Sequence, residues 1–250
     1  MLNTVFALWP DKPYSPKQRA AVLLGDIQQK ILAKNPQLLI MTIADEAASQ
    51  VKSPAPKWYK GDALVAVITV NFGQDKSHDK SIKEALQQAG FIVGAYQVDT
   101  SIYKTYGDNP HFRQRDWPDG TPSPTVMAVT LLTRPKKYSH DEWIRRWHGR
   151  MSPDSERLQP RARYVRHVVL DKDASTPTFD GIVEEAWPSA KHIHNPYLFY
   201  CANNRWQLIK HMLQMLRAIT HFHNLFKIRT VTMTEYFLKT DFNTNEVGND

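Results

Sequence analysis

The feature that most constrains this chain is an order of elements that occurs twice: strand, helix, strand, strand, helix, strand. In the first run, residues 2–9 read as a strand. Ser15 is the expected N-cap of a helix over 16–33, with Pro16 in its first position and Leu23, Leu24, Ile27 and Ile31 at helical spacing. Strands follow over 37–44 and 62–72, the latter rich in β-branched and apolar residues and hence buried. A helix over 79–88 closed by Gly90 and a strand over 91–99 complete the run. The stretch 49–60, with Pro54 and Pro56, reads as a loop.

The second run opens with a strand over 125–133. Ser139 caps a helix to about Met151, and Glu142 completes an expected capping box. Strands over 164–171 and 181–187, an amphipathic helix over 205–219 and a strand over 228–239 follow. Residues 107–124, rich in Pro, Gly, Asp and Arg, read as the connection, and 241–250 as a tail. The expected class is therefore α+β, with tandem ferredoxin-like βαββαβ halves at 1–106 and 125–240. A four-stranded sheet with helices on one face leaves its other face apolar, so the two sheets are expected to pack together or close into a barrel within one chain.

Composition excludes several classes. Cys201 is the only cysteine, so neither an intrachain disulfide nor a cysteine-based zinc site can form. The N-terminal apolar stretch lacks a basic region before it, and the longest apolar run, 63–70, falls far short of the roughly 18–20 residues of a membrane span. A cytoplasmic location and no membrane partner are expected. The net charge of +7 and a pI near 9.4 come partly from basic clusters at 134–137, 145–150 and 157–166, read as solvated faces. No nucleic-acid-binding motif accompanies them, so nucleic acid is not an expected partner. There is no Gly-rich phosphate loop, nucleophile elbow or His-Glu-x-x-His.

Four segments of the second run, in order, carry a resemblance: 126–132; Tyr138 to His148 with Ser139, Glu142, Trp143, Trp147 and His148; 164–169; and 179–187, Phe-Asp-Gly-Ile-Val-Glu-Glu-Ala-Trp. Together they are similar to the EthD-like family of the dimeric α+β barrel superfamily. The first run shares only the element order and looks like a diverged copy standing in for the second subunit of that family's usual dimer. The resemblance implies a pocket between sheet and helices. It also implies chemistry on a small aromatic or polyketide-like molecule without a metal or organic cofactor. A homo-oligomer is an expected state as well.

His148 is the expected proton-transfer group of a cofactor-free oxygenase, dehydratase or isomerase, or else a structural histidine at a helix end. Trp143 and Trp147, four apart, share a helix face as core or pocket wall. On the strand at 164–171, alternation sends Tyr164 and His167 to opposite faces, with His167 on the apolar inward side. Of Glu184 and Glu185 one faces inward, a carboxylate near enough to serve His148, or pairs with a surface arginine at an edge; Trp187 shares a face with Glu185. The pairs His192/His194 and His221/His223 lack an acidic third ligand nearby, and no metal is expected. Tyr164, His167, Glu185 and Trp187 join the two tryptophans as substrate contacts. The same fold could equally act as a non-catalytic ligand-binding or structural protein.

Overall fold

A computed structural model describes residues 1–240 except Pro56, Trp58, Tyr59, Lys60 and Ser175. The expected tail and part of the 49–60 loop thus lie outside the described residues. The elements are β1 (Leu2–Pro10), α1 (Pro16–Val22), α2 (Gln28–Leu32), β2 (Leu38–Ile43), α3 (Glu46–Ser49), β3 (Ala66–Asn71), α4 (Asp79–Gln88) and β4 (Phe91–Lys104). After the connection come β5 (Val126–Leu132), α5 (His140–Arg146), α6 (Ser152–Leu158), β6 (Arg163–Lys172), β7 (Gly181–Trp187), α7 (Ala190–His194), α8 (Pro196–Phe199), α9 (Arg205–Phe222) and β8 (Arg229–Thr240).

The eight strands form one closed antiparallel barrel in the order β1-β3-β2-β8-β5-β7-β6-β4. Within each run the strands lie fourth, first, third, second, and the runs join edge to edge at β2–β8 and β4–β6. That closure explains why β4 runs past the expected Asp99. Its extension pairs with the other run, Thr100 opposite His167 and Lys104 opposite Tyr164. A closed sheet has no free edge strand to protect.

Local chemistry sets the helix starts. Ser15 and Gln18 form a reciprocal capping box ahead of Pro16. At α5 only half of the expected box forms. Ser139 accepts from the Glu142 N–H, while the Glu142 carboxylate pairs with Arg145 and Arg146. The helix expected to stop near Met151 continues through a π turn (Trp147–Met151) into α6. Pro153 lacks an N–H, and the wider turn absorbs it: the Ser152 N–H and Oγ both donate to the Trp147 carbonyl. Gly181 has a packing reason. A Cβ there would lie 2.8 Å from the Trp147 ring and 3.1 Å from that of Trp143, so the strand can pass beneath both indoles only as glycine.

The barrel interior is filled. Val5, Ala7, Trp9, Tyr96, Val98, Met127, Val129, Ile182, Met233 and Phe237 are among its buried apolar side chains. Phe112 and Trp117 of the connection pack against Tyr106 at one end, with ring centroids 5.7 and 4.9 Å away. A polar chain runs through the same interior. Asn71 donates to Asn3 (2.7 Å), Asn3 to Thr100 (2.8 Å), and Thr100 meets His167 Nδ1 (2.9 Å). Further along, Arg163 bonds Glu235 (2.7 Å), which also accepts from Tyr106 (2.7 Å) and Ser123 (2.9 Å). This corrects the reading of the 157–166 cluster as a solvated face: Arg161, Arg163 and Arg166 are all buried. Each has hydrogen-bonded partners, Arg163 on Glu235, Arg161 on Glu185, and Arg166 on Ser101 and Ser152, although for Arg166 burial outweighs them and lowers its pKa. No described helix is long and apolar enough to cross a membrane.

Candidate functional site

Outside the barrel wall of the second run, α9 and the α5–π–α6 helix leave a cleft of about 160 Å³ against the sheet. Its floor comes from alternate outward positions of the strands: Thr130 and Leu132 on β5, Tyr164 on β6, Val183, Glu185 and Trp187 on β7. Trp147 and Met151 close one side, Met215, Ile219 and Phe222 of α9 another. Phe199 of α8 lies flat on Trp187, centroids 4.4 Å apart and planes at 13°. The walls are thus chiefly aromatic and aliphatic, with a few polar groups placed among them, the ordinary make-up of a small-molecule site.

Most of those polar groups are engaged. Glu185 takes the Arg161 guanidinium at 2.6 Å, and that guanidinium lies over the Tyr164 ring. The Tyr164 hydroxyl accepts from Trp147 Nε1 (3.2 Å) and meets Ser152 Oγ (3.1 Å), and burial raises its pKa. Thr130 and Thr230 bond each other at 2.9 Å. His223 Nδ1 is 2.8 Å from the Asn224 carbonyl, while its Nε2 accepts from the Thr133 N–H at 3.1 Å, which defines the neutral Nδ1–H form. Burial pushes its pKa down to about 4. The exception is Trp187: 1% exposed, it has no acceptor for its Nε1–H among the described residues.

Of the residues expected at a site, Trp147, Tyr164, Glu185 and Trp187 come together on this cleft. Trp143 is fully buried behind it, its ring 4.9 Å from that of Trp147. His167 lies on the other side of the sheet, inside the barrel as the alternation required, with Nε2 3.8 Å from Glu184 Oε1. The inward carboxylate that was expected near His148 therefore faces His167 instead.

His148 lines a separate surface concavity with Glu142, Ile144, Arg145, Arg146, Gly149, Arg150 and His221. It sits in the π turn, half-buried, with Nε2 unpartnered among the described residues. Burial first, and then Arg166, pushes its pKa down to about 4. His192 and His194 hold Ser189 and the Lys52 N–H respectively. Among the described residues no cluster of three or more His, Cys, Asp or Glu is arranged to hold a metal ion.

Sequence reasoning missed Arg161, Phe199 and the α9 wall. A signal for Arg161 existed: Arg161 and Arg163 alternate along one segment, and Glu184 and Glu185 lie on the strand paired with β6.

Neither a known family model nor any curated protein matches the chain. Among solved structures it is similar to an anthrone oxidase-like protein, with a TM-score of 0.47 and 10% identity over 96% of this chain and 94% of that one.

Proposed function

We propose that this chain is an α+β barrel protein of the EthD-like kind, two ferredoxin-like halves (1–106 and 125–240) joined by 107–124, that binds a small, partly aromatic molecule in the cleft of its second half. The observation that carries the reading is the unpaired Trp187 Nε1–H in a chiefly apolar slot most of whose other polar groups are already bonded. A buried donor left unbonded is costly, and a ligand acceptor would remove that cost. The size of the slot sets the ligand. A cavity of about 150 Å³ accepts benzene, so this cleft takes one ring bearing an acceptor rather than a whole fused tricycle.

The binding reading is favoured over a catalytic one within the cleft, because Glu185, Tyr164 and His223 already have partners there. A second reading keeps proton transfer at His148. What supports it is a half-buried neutral imidazole whose Nε2 is unpartnered among the described residues. To act on a molecule held in the outer concavity, the side chain would have to turn its buried Nε2 outward.

Calorimetric titration with p-cresol separates the cases. The wild type should bind it, Trp187→Phe about three- to tenfold more weakly through loss of one hydrogen bond, and Ile219→Trp, which fills the slot, not measurably. Equal affinity in all three proteins would sink the cleft reading. For the second reading, His148→Ala should abolish solvent-deuterium exchange at the acidic C–H of 2-indanone. Unchanged exchange, or none in the wild type, would remove it.

A further inference from the structure

The outward face of α9 differs from the rest of the surface. Trp206, Ile209, Leu213 and Leu216 follow one another at steps of three, four and three, which places them in one stripe, with Met212 beside it. All five are exposed, Trp206 by 81%. The opposite face of the same helix buries Met215, Ala218 and Phe222. Helical spacing sets Lys210, Arg217 and His221 along one border of the stripe. That border continues across to Arg146 at the end of α5 and Arg150 in the π turn, both of which reach His221 Nε2.

The charge on α9 and the segments flanking it is of one sign, with Glu142 entering at the far border, where it pairs with Arg145 and Arg146. No Asp or Glu occurs anywhere in residues 186–234, while Lys191, Arg205, Lys210, Arg217, Lys227 and Arg229 do. An exposed apolar stripe alone would suit a second copy of the chain. A symmetric pairing, however, would bring Lys210 and Arg217 against their own equivalents with no carboxylate on the helix to offset them. Apolar side chains edged by lysine and arginine match an interface of acyl chains below and anionic headgroups above.

We infer that α9 docks this protein on an anionic lipid surface, with Trp206, Ile209, Leu213 and Leu216 entering the headgroup boundary and Lys210, Arg217 and the Arg146–Arg150 edge facing phosphate. The expectation of no membrane partner rested on the absence of a long apolar run, which bears on spanning helices and not on one lying flat. Met215, Ile219 and Phe222 line the cleft from the opposite face of the same helix, so the docked helix stands between the cleft and the lipid.

Vesicle flotation tests this with the full chain. Vesicles of phosphatidylcholine containing roughly a third phosphatidylglycerol should carry the protein, pure phosphatidylcholine should not, and about 0.5 M salt should release it. Trp206→Ser/Leu213→Ser and, separately, Lys210→Glu/Arg217→Glu should each cut the bound fraction about tenfold or more, with circular dichroism unchanged because all four positions are exposed. Failure of the wild type to float with anionic vesicles overturns the inference, as does equal flotation of the variants. So does a dimer in sedimentation equilibrium that Trp206→Ser/Leu213→Ser dissolves while no vesicles are bound, which would assign the face to a second copy. None of these readouts depends on p-cresol binding, so the cleft and the docking face stand or fall separately.

Discussion

The two runs of the chain share one strand order and use the space between sheet and helices in opposite ways. In the first, Phe6, Leu8, Leu39, Met41 and Ile68 of the sheet meet Leu23, Ile27, Ile31, Ile82 and Leu86 of the helices, and the space is full. In the second, the corresponding cluster is seven residues, dominated by Trp143, Trp147 and Tyr164, and a cleft remains beside it. The connections account for the difference. From β3 to β4 the chain makes one helix, α4; from β7 to β8 it makes α7, α8 and α9, and Phe199 of α8 occupies the surface of Trp187. One copy of a topology can thus be spent on packing while the other keeps space for a ligand, and the barrel they close supports both.

The largest effect expected from this contrast is on stability. Leu39→Ala, at a fully buried site in the packed run, should cost about 2–5 kcal/mol, because a close-packed interior relaxes little around the void. Ile219→Ala, on a wall already facing open space, should cost about 1 kcal/mol. Urea denaturation of the two variants gives both values. Equal costs would mean that the cleft is not the looser of the two spaces.

Acid should find the second run first. His223 has a folded pKa of about 4, below the ordinary value near 6.5, so the unfolded chain binds the extra proton. The stability tied to its neutral form is present above about pH 6.5 and is lost as pH falls towards 4, on the order of 2–3 kcal/mol in all. His148 shifts in the same direction and adds to the slope. The outer wall of the first run has no buried histidine. His223→Gln should flatten the decline between pH 6.5 and 4 by up to one proton in the pH dependence of unfolding free energy. An unchanged slope would show that the imidazole is not the group being titrated.

Much of this was legible beforehand, and the reason differs by level. Element order survived because periodicity and caps are local: Ser15, Pro16, Gly90 and Ser139 act within a few residues. The facing of Tyr164 and His167 followed from strand alternation alone. The buried arginines did not, since Arg161 and Arg163 read as a basic run until the register with Glu184 and Glu185 is known. Tyr106 meets Glu235 across 129 residues of sequence, through a seam between the runs that no local pattern announces. A pocket was expected beside His148, whereas the cleft lies against Trp147 and Trp187, because its far wall depends on how α7 and α8 hold α9 over the sheet.

The smallest expected effect is also the most direct test of why the cleft is a site. Trp147 and Trp187 are both about 1% exposed and both line it, but Trp147 Nε1–H donates to Tyr164 whereas the Trp187 donor is unpaired among the described residues. Replacing either with phenylalanine removes similar volume, so that term nearly cancels in the comparison. What remains is one satisfied hydrogen bond against one unsatisfied donor. Trp147→Phe should therefore cost about 1 kcal/mol more than Trp187→Phe in unfolding free energy without ligand. Ligand should reverse the order of sensitivity: with saturating p-cresol, Trp187→Phe should lose more of the ligand-induced stabilisation than Trp147→Phe, since only the former removes a donor that the ligand would use. If the two variants were equally stable without ligand, the Trp187 donor would already be satisfied in solution, and the slot would have no polar anchor left to offer.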